Sequence, residues 1–243
     1  MGWPQIGASS EPVIGVDGSR EGILKFQLAI SMTALKPLLV LFIPLSCGSA
    51  TAAIALRDDV PDPLRCWAFE YGVAFIARET IDEVALGHTR IADGPAGGQV
   101  HLLTAAYRLA EPTWEIGSCR FNPLLELPFT LGIVDENGRS PFLNYSASFQ
   151  VRWRDFPWNQ YVSTTASMGV GLAYSDEIFL MDIKTHPTRF RSHVKINWPI
   201  ELSVALPQYP QHQLTIFIMH QSGGEMFDRG GINNFGIGYR LGF

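Results

Sequence analysis

Charge is scarce in this sequence: Asp, Glu, Lys and Arg make up 17% of its 243 residues, and the net charge is −5. A weakly charged, acidic chain carries no footprint for nucleic acid, so no such partner is expected. Long apolar runs are missing as well. Beyond residue 53 no stretch approaches the length of a membrane-spanning helix. The histidines are few and scattered: His88, His101, His186, His193 and His212 show no metal-ligand spacing, so no metal is expected. The one Gly-rich segment near the end, GIGYRLG (236–242), lacks the spacing and strand–helix context of a dinucleotide loop, and no cofactor is expected either. Of the three cysteines, Cys66 and Cys119 lie in the body of the chain. An oxidising compartment permits a disulfide between them, and two half-buried thiols fit equally well.

What is present near the start is a secretory leader. From Met32 the chain reads a short basic region at Lys36, an apolar stretch from Leu38 to Leu45 and a small-residue cleavage site at Ala50-Thr51-Ala52. Residues 1–52 are therefore read as an upstream extension plus signal peptide, with Met32 as the expected true start. Residues 53–243 are expected to form a single domain. Cys47 does not make a lipoprotein signal, because Pro44 stands where a lipobox wants Leu.

Alternation with period two dominates the rest. Trp67, Phe69, Tyr71, Val73 and Phe75 share one face; so do Leu143, Tyr145, Ala147, Phe149, Val151 and Trp153, interleaved with Asn144, Ser146, Ser148, Gln150 and Arg152. The same pattern recurs over 162–174, 194–206, 212–222 and 231–243, and more weakly over 99–109 and 122–134. The count is about eight strands, even as a small barrel requires, each pairing a large apolar face with a small or polar one. A soluble β-sandwich also alternates, but the leader, the aromatic Phe243 and the small polar second faces favour a barrel. The fold expected is all-β, an antiparallel transmembrane β-barrel of the outer-membrane type, located in the bacterial outer membrane. Bulges are expected at Pro128 and Pro199, which fall inside strands. Arg152, Glu201, Lys195 and Arg240 are expected to pair within the lumen, and GHTRIADGPAGGQ (87–99) reads as a flexible extracellular loop.

The penultimate strand carries a chemical anomaly. His220 and Ser222 sit on its apolar face with Leu214, Ile216 and Ile218, where polar groups meeting lipid are costly. The segment HQSGG…DRGGINNFGIGYRLGF resembles the carboxyl end of lipid A 3-O-deacylases of the PagL type, eight-stranded outer-membrane barrels that remove an ester-linked acyl chain from lipid A. The resemblance covers only the last two strands. It implies His220 as general base, Ser222 as nucleophile and lipid A or lipopolysaccharide as partner. Where that family has an Asn after the serine, this chain has Gly223, leaving a backbone N–H for the oxyanion. The family's acid aligns with Asn233, which can orient His220 by accepting a hydrogen bond, as Asn does in papain-like triads. Glu225 and Asp228, in the loop between the strands, are substitutes for that acid. A barrel of this fold without catalytic activity, structural or binding in role, is the alternative expectation, and a homodimer is left open.

Overall fold

The structure, a computed structural model, describes residues 51–53, 66–79, 81, 83, 89–116, 119–185 and 187–242. The leader expected from Met32 to Ala52 lies outside these residues except for Thr51 and Ala52, which form a short strand with Ala53; His88, His186 and Phe243 also lie outside.

Eight antiparallel strands close into an up-and-down barrel: β1 Trp67–Ala77, β2 Gly98–Ala110, β3 Leu124–Glu136, β4 Phe142–Trp153, β5 Ser163–Ser175, β6 Val194–Ala205, β7 His212–Ser222 and β8 Gly231–Gly242. Each strand pairs with its sequence neighbours, and β8 returns to β1 through Leu241↔Phe69 to Asn233↔Ala77, so no edge is left open. The period-two faces sort as the sequence pattern requires. Ile216 and Ile237 are 61% and 65% exposed on the outer wall, beside Phe69, Leu103, Phe129, Phe149 and Leu172. Asn144, Gln150, Arg152, Lys195, Asn197, Glu201 and Ser203 are buried inside. A closed barrel with an apolar exterior and a polar interior is the architecture of an outer-membrane barrel, and the bacterial outer membrane is where this protein resides.

The lumen is filled. Toward one end Arg152 is buried between two carboxylates, donating from Nε to Glu126 (3.0 Å) and from Nη1 to Glu201 (2.7 Å), while Arg240 Nη2 donates to Glu126 Oε1 at 2.6 Å. Toward the other end the interior turns apolar, with Ile76, Val100, Leu102, Val134, Phe217, Met219 and Ile232 in one cluster. Period two alone does not reveal this half, because the strand pattern assigns the polar residues to the lumen. Phe217 fits there because two facing residues lack a Cβ: one added at Gly236 would lie 2.6 Å from its ring, and one at Gly72 2.8 Å. The mid-lumen cavity between the two halves is only about 40 Å³, the volume of about one water molecule.

The two strand prolines make no bulge. Registers on both sides of Pro128 and Pro199 are unshifted; the ladder lacks only each proline's own pair and one neighbouring pair, on the β4 side of Pro128 and the β5 side of Pro199. The register shift in the barrel lies elsewhere, between Arg108 and Ala110.

The connection 111–123 is long because it carries its own small sheet, Thr113–Ile116 against Cys119–Phe121 and Thr51–Ala53. Opposite, at the His220 end, a short helix α1 (Leu180–Thr185) and the loop 223–230 lie over the barrel mouth. The described part of the loop expected to be flexible is also built into this end: Ala92 N–H donates to Ile76 O (2.8 Å), and Ala92 and Ala96 join the apolar cluster. Cys66 is a free, half-buried thiol, and the side chain of Cys119 lies outside what is described.

Candidate active site

The register of the last two strands assembles the site. Antiparallel pairing sets His220 opposite Asn233 and Ser222 opposite Gly231, so side chains from neighbouring strands meet on the outward face. His220 Nδ1 and Asn233 Oδ1 are 2.6 Å apart, and Asn233 Nδ2 donates to the Glu79 carbonyl oxygen at 2.8 Å. The second bond fixes the first. Because Nδ2 is held by a carbonyl, Asn233 must turn its oxygen to His220, which makes Nδ1 the protonated nitrogen. Nε2 is then left with a free lone pair, the form a general base requires. Asn233 is itself buried.

Gly231, having no side chain, leaves the outward face open beside His220 and Ser222. A Cβ placed there would lie 3.5 Å from Ser222 Cβ and 3.8 Å from His220 Cε1, so both side chains border the same space. Among the described residues no hydrogen bond joins Ser222 Oγ to His220. His220, Ser222 and Asn233 line one cavity of about 380 Å³, opening beyond the barrel wall beneath α1.

Gly223 does not offer the donor expected of it. Its N–H donates to Gly230 O at 3.1 Å, closing the loop on itself, and is occupied in this geometry. A side chain there is excluded for a related reason: a Cβ would fall 2.0 Å from Asp228 Oδ1. Neither loop acid takes the place of an acid beside His220. Glu225 is exposed and faces Arg229 at 4.0 Å. Asp228 is buried and committed: Oδ2 accepts from Lys195 Nζ and Ser192 N–H, both at 2.7 Å, and Oδ1 from Gly230 N–H at 2.9 Å. Burial alone would raise the Asp228 carboxyl, but these bonds outweigh it and hold it below the usual carboxylate range.

Sequence reasoning missed the support behind the site. Lys195 Nζ also reaches Asp182 Oδ2 at 2.9 Å, and Asp182 Oδ1 accepts from Gly231 N–H at 3.2 Å. One buried ammonium thus ties β6 to α1 and to the loop that carries β7 into β8. The N-terminus of α1 is fixed separately, Leu180 N–H donating to Glu136 Oε1 at 2.8 Å. Asp182 and Asp228 lie in segments without strand periodicity, so nothing in the pattern ties them to Lys195.

Fold and site together define an outer-membrane β-barrel with a Ser–His–Asn constellation on its outer wall. No family model matches the chain, and no curated protein matches it. Among solved structures it is similar to the outer membrane enzyme PagL, at 11% identity and a TM-score of 0.46, covering 72% of this chain and 99% of that one. It is also similar to Neisserial surface protein A (NspA), at 9% identity and a TM-score of 0.38, covering 73% and 96%.

Proposed function

We propose that this protein is an outer-membrane esterase that removes an ester-linked acyl chain from lipid A by a serine–histidine mechanism. The observation that carries the reading is the pair of hydrogen bonds through Asn233, which hold His220 in the tautomer with Nε2 free. A hydrophobic pair would sit on a lipid-facing strand at lower cost, which supports a chemical use for this one.

In this reading Ser222 Oγ attacks the ester carbonyl carbon while His220 Nε2 takes the hydroxyl proton. The tetrahedral intermediate collapses, the sugar oxygen leaves with that proton from His220, and the acyl chain remains on Ser222. Water, deprotonated by His220, then hydrolyses the acyl-enzyme, releasing the fatty acid and restoring the serine. Asn233 orients the imidazole throughout but supplies no charge to the imidazolium, so the site is a weaker base assembly than one with a carboxylate. The long connections 78–97 and 176–193 lie at the same end as His220, which supports placing the site at the outer leaflet, level with the ester of lipid A.

A second reading, a barrel of structural or binding role without activity, is favoured by the absence of a Ser222–His220 hydrogen bond and by the occupied N–H of Gly223. Expressing the protein in an outer membrane of known lipid A composition separates the two. The esterase predicts lipid A lighter by one acyl chain, and unaltered lipid A with Ser222→Ala. Unchanged lipid A with the native, folded barrel would establish the structural role.

A further inference from the structure

The cavity at Ser222 is bordered by more than the catalytic pair. Arg78, directly after β1, and Arg229, two residues before β8, both line it. Their positions follow from the register: Ala77 pairs with Asn233, so the residue that continues β1 and the loop that leads into β8 flank the same opening.

Among the described residues no ion pair neutralises the Arg78 guanidinium; Arg78 is exposed, and its backbone N–H donates to Arg90 O at 3.1 Å. Arg229 has one acidic neighbour, Glu225, at 4.0 Å with both side chains largely exposed, a contact of little energetic weight. Glu79, the carboxylate bordering the cavity, is already taken: Arg90 N–H donates to it at 2.7 Å, with the Arg90 guanidinium 3.6 Å away. The two carboxylates behind the site, Asp182 and Asp228, both face inward to Lys195. Arg189 adds a further cation to the rim, its Nη1 donating to Arg229 O at 3.0 Å. On a chain whose net charge is −5, the described residues thus make the opening beside Ser222 locally cationic.

Guanidinium groups present a planar fork of donors that matches phosphate oxygens two at a time. A cavity of about 380 Å³ has room for a phosphorylated sugar but not for the acyl chains of a lipid. Those chains would lie along the outer wall of β7 and β8, on Ile216 and Ile237. We infer that Arg78 and Arg229 form an anion-recognition pair that seats a phosphate monoester of the substrate's sugar headgroup, making the substrate a phosphorylated glycolipid and setting which ester reaches Ser222. This rests on the esterase reading for its consequence in turnover, but not for its consequence in binding.

The test uses the Ser222→Ala barrel in detergent micelles, with binding of phosphorylated and enzymatically dephosphorylated lipid A measured side by side. The expected result is weaker binding of the dephosphorylated lipid. Arg78→Gln and Arg229→Gln should each weaken binding of the phosphorylated lipid roughly tenfold, and leave the dephosphorylated lipid unaffected. Arg→Lys at both positions should recover part of the loss. Equal binding of the two lipids, or an equal loss with both in the Gln variants, would overturn the assignment. Displacement of the lipid by an equal concentration of inorganic phosphate would overturn the glycolipid as ligand and leave a free-anion site. Turnover by the barrel with Ser222 intact is scored separately: no hydrolysis of either lipid refutes the esterase while the binding comparison still decides the arginine pair.

Discussion

Replacing Asn233 by Leu keeps the size of the side chain and removes both of its hydrogen bonds. His220 Nδ1 loses its acceptor at 2.6 Å, and the Glu79 carbonyl loses its donor at 2.8 Å. A part-buried donor left without a partner costs about 1–3 kcal/mol. Where that loss falls on the imidazolium of the transition state, at about 1.4 kcal/mol per factor of ten it lowers kcat by roughly 5- to 140-fold. Loss of tautomer control adds to it, because an unanchored imidazole can protonate Nε2 and present no lone pair to Ser222. A fall of about 10²-fold in kcat with KM little changed is therefore expected, since in the proposed mechanism Asn233 acts through His220 and not on the acyl chain. Asn233→Asp provides the opposite perturbation. It keeps an acceptor for Nδ1–H and adds the charge that Asn lacks, so kcat should match or exceed that of the native protein despite the loss of the bond to Glu79. The assay is release of fatty acid from purified lipid A by folded barrel in micelles, with heat-modifiable gel mobility reporting the fold. Native kcat in the Leu variant, with the barrel intact, would refute the role given to Asn233.

Gly223→Ala should abolish activity while sparing the barrel, because its Cβ would meet Asp228 Oδ1 at 2.0 Å and force the 223–230 loop to move; lipid A turnover beside heat-modifiable mobility checks this. Lys195→Met should destabilise the mouth by about 3–5 kcal/mol, leaving Asp182 and Asp228 as buried carboxylates without their cation, and limited proteolysis should cut first within 176–193 or 223–230. The Asp228 clamp also has a pH signature. Its folded pKa is depressed, so its contribution is complete above the ordinary carboxylate range and is lost as pH falls through the lower folded value. Protease sensitivity of the 223–230 loop should accordingly rise only in acid below the usual carboxylate pKa, and not between neutral pH and that range. Arg152→Met should weaken the barrel more than any outer-wall substitution, by about 3–5 kcal/mol, since Glu201 would lose its buried partner and Glu126 would keep only Arg240; urea unfolding in micelles reports it.

The barrel was legible because a strand that separates lipid from lumen writes its period into the chain. The alternation at 143–153 and 231–242 has direct counterparts in β4 and β8, and Arg152, Glu201, Lys195 and Arg240 do face inward to ion pairs. The partners of those charges were less legible. Glu126 sits in a weakly patterned strand, and Asp182 and Asp228 belong to loop and helix segments brought to Lys195 only by closure of the barrel. The apolar half of the lumen escaped for a different reason: Phe217 and Met219 are inward residues in a strand whose outward face is apolar too, so period two carries no contrast there. The prolines were misjudged because a missing donor was equated with a bulge, whereas the ladder absorbs it by leaving adjacent pairs unbonded. At the site, the His220 and Asn233 pairing was expected from the resemblance of the last two strands, and the observed register sets the two opposite each other. The engagement of Gly223 by Gly230 depends on how the loop folds back, which no strand pattern encodes.

The most direct test of an activated serine on the lipid face is covalent labelling. The purified barrel in micelles, treated with a fluorophosphonate, should gain one adduct located at Ser222 by peptide mass spectrometry. Labelling should be lost in His220→Ala and slowed in Asn233→Leu. An unlabelled Ser222 in a folded barrel, or labelling that is indifferent to His220, would contradict the account.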